Sequence, residues 1–161
     1  MSKTAAPHPS IEDIVLAHDR RGISALRPHV PTQFCDEAAA FVLESPGTVA
    51  IVTGFCMLSV LAPETDGPPG AVAIGDALQS IGRSVVYVTD RYAAPILEAL
   101  LGGRAGVVDF PITDHESSER FAQRLLSEVN PSTLIAIERC GMTDDGRYLN
   151  MRGRDFTEHN A

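Results

Sequence analysis

The segment Thr133-Leu-Ile-Ala-Ile137, running directly into Glu138-Arg-Cys-Gly-Met-Thr-Asp-Asp-Gly-Arg-Tyr-Leu-Asn-Met-Arg-Gly-Arg-Asp155, decides how the chain is read. The apolar run is short, rich in β-branched residues and uncharged, which is the pattern of a strand buried on both faces. It delivers Glu138 and Arg139 at its carboxyl end. Asp144-Asp145-Gly146 and Arg152-Gly153-Arg154-Asp155 then read as two glycine-hinged turns. A core has no use for so much charge immediately after a buried strand. A site for a small charged ligand does, and in open α/β sheets such sites lie beyond the carboxyl ends of the strands.

Upstream, the same kind of strand recurs. Thr48-Val-Ala-Ile-Val-Thr53, Ser84-Val-Val-Tyr-Val-Thr89 and Ala105-Gly-Val-Val-Asp-Phe110 are short, apolar and bounded by turn residues. Helical spacing fills the intervals: Ala71 to Ser80, Tyr92 to Leu101 behind a capping Asp90, and a long helix from Thr113 or Asp114 to about Glu128. Strand–helix alternation repeated in this way gives parallel strands joined by crossovers. The fold class is therefore α/β, a Rossmann-like three-layer sandwich with a mainly parallel sheet. Two helices precede it, Ile11 to His18 capped by Ser10 and Phe34 to Glu44, separated by a stiff extended linker at Arg27-Pro28-His29-Val30-Pro31. Residues 1–10, with two prolines among small polar residues, read as a disordered arm, leaving residues 11–161 as a single α/β domain.

Composition narrows the class of partner. With 161 residues, 44% apolar and 21% charged, the chain has the make-up of an ordinary soluble domain. A net charge of −8 argues against nucleic acid or an anionic membrane surface as partner, since both call for basic patches. A small anionic substrate remains compatible, because a local arginine cluster overrides the global field, and a homo-oligomer is left open. Three cysteines, Cys35, Cys56 and Cys140, without C-x-x-C spacing favour a reducing, cytoplasmic setting.

If the strands are parallel, their polar ends meet at one rim: Thr53-Gly54, Thr89-Asp90-Arg91, Asp109 with Thr113-Asp114-His115, and Glu138-Arg139. For Asp90 and Asp114 the competing role is a plain helix cap. The loop Pro63-Glu-Thr-Asp-Gly-Pro-Pro-Gly70 joins two carboxylates to rigid turns ahead of a helix. It is expected to present backbone N–H groups to an anion, or to hold a hard cation through Glu64 and Asp66. Neither G-x-x-x-x-G-K-[ST] nor G-x-G-x-x-G occurs, so there is no nucleotide fingerprint. Arg139, Arg147, Arg152 and Arg154 supply planar forks for carboxylates; some are expected to pair with Asp144, Asp145 or Asp155 at the surface, and Arg139 and Arg152 are the candidates for substrate carboxylates. His115 reads as solvated, and Cys140 lacks an evident base.

Three stretches carry a family resemblance: Val52-Thr-Gly-Phe55, Pro63-Glu-Thr-Asp-Gly-Pro-Pro-Gly-Ala-Val-Ala-Ile-Gly-Asp-Ala-Leu78, and Glu138-Arg-x-Gly-x-x-x-Asp-Gly-x-Tyr-x-Asn-Met-Arg-Gly-x-Asp155. They resemble the D-glutamate cyclase carboxy-terminal domain family, also classed as a domain of unknown function, over nearly the whole chain from the first helix on. The resemblance implies a carbon–oxygen lyase of D-amino acid metabolism that cyclises D-glutamate to 5-oxo-D-proline with loss of water. It also implies a carboxy-terminally truncated domain, because family domains continue past the last motif. Chemistry then suggests the roles. Glu138 or Asp155 is the general base. Thr53, Gly54, Asp90, Arg139, Asn150 and Arg152 hold the substrate, and Glu64 with Asp66 holds Mn²⁺ or Mg²⁺. The alternative is a Rossmann-like protein that binds a small anion without turnover.

Overall fold

The computed structural model describes residues 8–161, so most of the arm expected over residues 1–10 lies outside the described residues. The chain divides into two compact units, residues 1–46 and 47–161.

In the first unit, α1 (Ile11–Leu16) opens with a capping box: Asp13 N–H donates to Ser10 Oγ, and Ser10 N–H donates to Asp13 Oδ2. Two orphan donors of the first turn are thereby satisfied. The buried Glu12 carboxylate accepts the Cys35 N–H at 2.8 Å, tying α1 to the start of α2 (Phe34–Glu44). This bond holds the Glu12 carboxyl down at about 2. Between the helices the expected extended linker is replaced by a 3-10 helix, Ile23–His29, with Pro28 inside it. The fixed φ of proline lies within the 3-10 range, so the ring is accommodated where an α-helix would break. The chain extends only at Val30, ahead of Pro31.

The second unit holds the sheet. Its strands are β1 (Thr48–Thr53), then β2 (Cys56–Met57) and β3 (Ala62–Pro63), then β4 (Val85–Thr89), β5 (Val107–Asp109) and β6 (Pro131–Ile137). The helices between them are α3 (Gly67–Ser80), α4 (Ala94–Leu101) and α5 (His115–Val129). Four strands form one parallel sheet in the order β5-β4-β1-β6, with Ile51 beside Tyr87 on one side and Ile135 on the other. The Rossmann-like α/β sandwich is thus present. Val49, Ile51, Tyr87, Leu97 and Leu101 are all but fully buried, each aliphatic among them contributing about 1.5–3 kcal/mol by leaving water. Gly75 lets α3 lie against Tyr87: a Cβ there would stand 1.8 Å from the tyrosine oxygen. The sheet's other face is filled less closely, and a cavity of about 220 Å³ remains between it and α5, lined by Val52, Val88, Leu125, Leu126 and Leu134.

Some local expectations need correction. Between Gly54 and the loop beginning at Pro63 the chain forms a small antiparallel hairpin, β2 with β3, for which no strand was expected. Strands of two residues are too short for any alternation to register. α3 begins at Gly67 rather than Ala71, with Pro68 and Pro69 in its first turn. Prolines there lose nothing, because the first N–H groups of a helix have no partner within it. α4 starts at Ala94 and is capped at Ala93, not Asp90. Asp114, in contrast, caps α5 by accepting the Ser117 N–H at 2.9 Å. The final segment forms a single 3-10 turn, Thr157–His159, behind a buried Phe156 whose ring centre lies 4.8 Å from that of Phe55, the two planes tilted by 52°. No helix among the described residues is long and apolar enough to cross a membrane.

Candidate functional site

The chain steps from β1 outward through β4 to β5, then returns to place β6 on the opposite side of β1. The crevice outside the carboxyl ends of β1 and β6 is therefore the topological switch point, where ligands of open α/β sheets bind. Thr53 ends β1 there, and Glu138 follows β6.

The hairpin brings the acidic loop to the same place. Glu64 N–H donates to the Phe55 carbonyl at 2.7 Å, which returns the chain to a point two residues beyond the end of β1. Asp66 then caps α3. In the result, carboxylate oxygens of Glu64, Asp66 and Glu138 all lie within 4.8 Å of one another. Two backbone features allow this approach. Gly67 sits so close that a Cβ would be 2.8 Å from Thr53 Oγ1 and 2.9 Å from Glu138 Cβ. Glu138 itself has φ +48, in the left-handed region where a residue with a Cβ is rarely found outside functional or over-determined positions.

Electrostatically the loop behaves unlike the expected anion cradle. Pro68 and Pro69 carry no N–H, Gly67 N–H donates to Asp66 Oδ1, and Gly70 N–H returns to the Asp66 carbonyl. No donor of the first helical turn, Gly67 to Gly70, is left for an anion. The positive end of the helix dipole instead favours the carboxylates clustered beside it. Thr53 is fully buried and its hydroxyl has no partner among the described residues. All-oxygen donors of this kind suit a hard divalent cation such as Mg²⁺ or Mn²⁺.

A second set of expected residues also meets, with a different outcome. Arg139 Nη1 donates to Asp90 Oδ2 at 2.6 Å and to the Gly54 carbonyl at 3.0 Å, while Nη2 donates to the Ala161 carbonyl. Both side chains of the ion pair are nearly buried. Asp90 Oδ1 additionally accepts the Tyr92 N–H. Both terminal nitrogens of Arg139 are thus engaged by the protein itself. Gly54, with φ +120, is required there: a Cβ would come within 2.7 Å of Thr89 Oγ1.

The third set makes its hydrogen bonds within its own segment. Asn150 Oδ1 accepts the N–H groups of Arg152 and Arg154, closing the turn hinged at Gly153, and Arg152 is exposed. Asp155 accepts from the Thr157 hydroxyl and N–H, which hold its carboxyl below the usual aspartate range. Among the described residues no hydrogen bond or ion pair joins Asn150, Arg152 or Asp155 to the three carboxylates. Cys140 Sγ lies 3.3 Å from the Leu149 carbonyl, and burial pushes the Cys56 thiol up, away from reactivity. Beside Glu138 opens a depression of about 300 Å³, lined by Phe55, Arg139, Cys140, Leu149 and Met151 among others.

Glu138 as a partner of Glu64 and Asp66 went unseen in the sequence, where it reads as a lone base. The available signal was its place directly after a buried strand, coupled with a glycine between the acidic loop and a helix.

A family model described as "D-glutamate cyclase-like, C-terminal" matches residues 11–161. The chain is also 34% identical, over 127 residues, to a protein of Homo sapiens described as "D-glutamate cyclase, mitochondrial". That alignment covers 71% of this chain and 21% of the human protein, so the chain spans about a fifth of its relative's length.

Proposed function

We propose, since this chain belongs to the D-glutamate cyclase-like, C-terminal family, that it cyclises D-glutamate or a related amino-dicarboxylate to 5-oxo-D-proline with loss of water. The observation that carries this reading is the convergence of Glu64, Asp66 and Glu138 at the switch point, beside a depression sized for a five-carbon substrate.

The chemistry requires the α-nitrogen to bond to the γ-carbon while one γ-oxygen leaves. Two protons of the ammonium group end on that departing oxygen, which goes as water. Holding the two ends of one flexible molecule at attack distance is worth about 7–11 kcal/mol in a well-oriented intramolecular reaction. The acidic cluster attracts the substrate ammonium and repels its carboxylates. A divalent cation held by Glu64 and Asp66 would reverse that repulsion and stabilise the charge developing on the γ-oxygen. Arg152, exposed where Arg139 is not, takes a substrate carboxylate in this reading. Gly54 and Asp90 serve by fixing Arg139. Asp155, with its proton affinity lowered by Thr157, is a poor base. Free Cys35, Cys56 and Cys140 fit action in a reducing compartment such as the cytoplasm.

Chromatographic detection of 5-oxoproline from D-glutamate, with and without Mn²⁺, tests the reading. Product that depends on Mn²⁺ and falls at least tenfold in kcat/KM in Arg152→Ala is expected. D-glutamate that raises the melting temperature yet gives no product would replace the lyase by an anion-binding protein.

A further inference from the structure

The geometry points to Glu138 as the third carboxylate ligand of a divalent-cation site, with the buried Thr53 hydroxyl bonded to a water on that cation, and not as a proton-accepting base. This deepens the cyclase reading and rests on it only for the identity of the substrate.

Distance is the first ground. Oxygens bound to Mg²⁺ or Ca²⁺ lie roughly 2.0–2.6 Å from the ion, so any two ligand atoms stand no more than about 5 Å apart. The Glu64, Asp66 and Glu138 oxygens satisfy that limit together, at 4.8 Å or less. The lack of an ion pair at two of the three carboxylates is the second ground. Neither Asp66 nor Glu138 forms an ion pair among the described residues, whereas Asp76, Asp90 and Asp145 each pair with an arginine. Like charges gathered in this way repel unless something positive joins them.

Thr53 is an independent ground. Its hydroxyl is fully buried without a partner among the described residues, a state that native proteins rarely leave uncorrected. It approaches the same point as the Glu138 stem, since a Cβ built on Gly67 would meet both within 3 Å. Mg²⁺ and Mn²⁺ keep several waters when few protein ligands bind them, and such a water gives the hydroxyl its missing bond. The left-handed backbone at Glu138 turns this side chain toward the loop, at a cost of order 1–3 kcal/mol that a simple strand end would not carry. A carboxylate whose lone pairs are engaged by a cation is no longer placed to take a proton.

Mn²⁺ titration followed by electron paramagnetic resonance, without D-glutamate, tests the site apart from turnover. One ion should bind per chain. Glu138→Gln should weaken binding at least tenfold, and Thr53→Val, which removes the hydroxyl at nearly constant shape, about 3- to 10-fold. Asp155→Asn should leave affinity unchanged. In metal-free buffer Glu138→Gln should melt at or above the wild-type temperature, and Mn²⁺ should raise the wild-type melting temperature far more than the variant's. Equal affinity in Glu138→Gln, or no Mn²⁺ bound by the wild type, overturns the inference. Tight Mn²⁺ binding without 5-oxoproline formation keeps this site and sinks the cyclase reading.

Discussion

Two groups of charges stand at the carboxyl edge of one sheet and are treated in opposite ways. Asp90 and Arg139 are almost buried, face each other at 2.6 Å and have their remaining atoms bonded to Gly54, Tyr92 and Ala161. Glu64, Asp66 and Glu138 gather like charges within 4.8 Å near the Thr53 hydroxyl, which has no partner among the described residues. The first group is complete without a ligand. The second, in the reading proposed above, is completed by a cation. Charge at a strand end is therefore no indicator of a site by itself; what matters is whether the fold has already answered it.

The largest effect should come from breaking the complete group. Arg139→Ala leaves Asp90 buried and uncompensated, and urea unfolding should show a loss of about 3–5 kcal/mol. A loss under about 1 kcal/mol would mean that the pair is as open as the cluster. Next comes Gly67→Ala, whose methyl group would collide with Thr53 Oγ1 and Glu138 Cβ. It should destabilise by about 1–3 kcal/mol and weaken Mn²⁺ binding as well, linking packing to the site.

Carboxylates already satisfied by donors sharpen the contrast through pH. Glu12 is lowered to about 2 by the Cys35 N–H, so its contribution is fully present above about 4.5 and fades as pH falls toward 2. Acid titration should loosen the α1–α2 contact across that window, and Glu12→Gln should remove the dependence. Asp155 follows the same sign from 3.8 downward, through Thr157. Asp155→Asn is the smallest change predicted, and it should be seen in acid melting alone.

How much of this could be read from the sequence depended on how local the signal was. The run Val49-Ala-Ile-Val52 and the cap Asp114 act within a few residues, and both appear as expected. Pro68-Pro69 misleads, because the same dipeptide that ends a helix also tolerates its first turn. Asp90 sits where a cap belongs and does accept the Tyr92 N–H, and only the partner 49 residues away shows that it also serves Arg139. The carboxylate cluster joins Glu64 to Glu138 through strand order, which no spacing encodes. Its acids were visible, while their meeting was not.

Anomalous diffraction from crystals soaked in Mn²⁺ tests the central claim most directly. One strong peak bonded to oxygens of Glu64, Asp66 and Glu138 is predicted, with a water between it and Thr53 Oγ1. Clean density showing the three carboxylates parted and no peak among them would contradict the account.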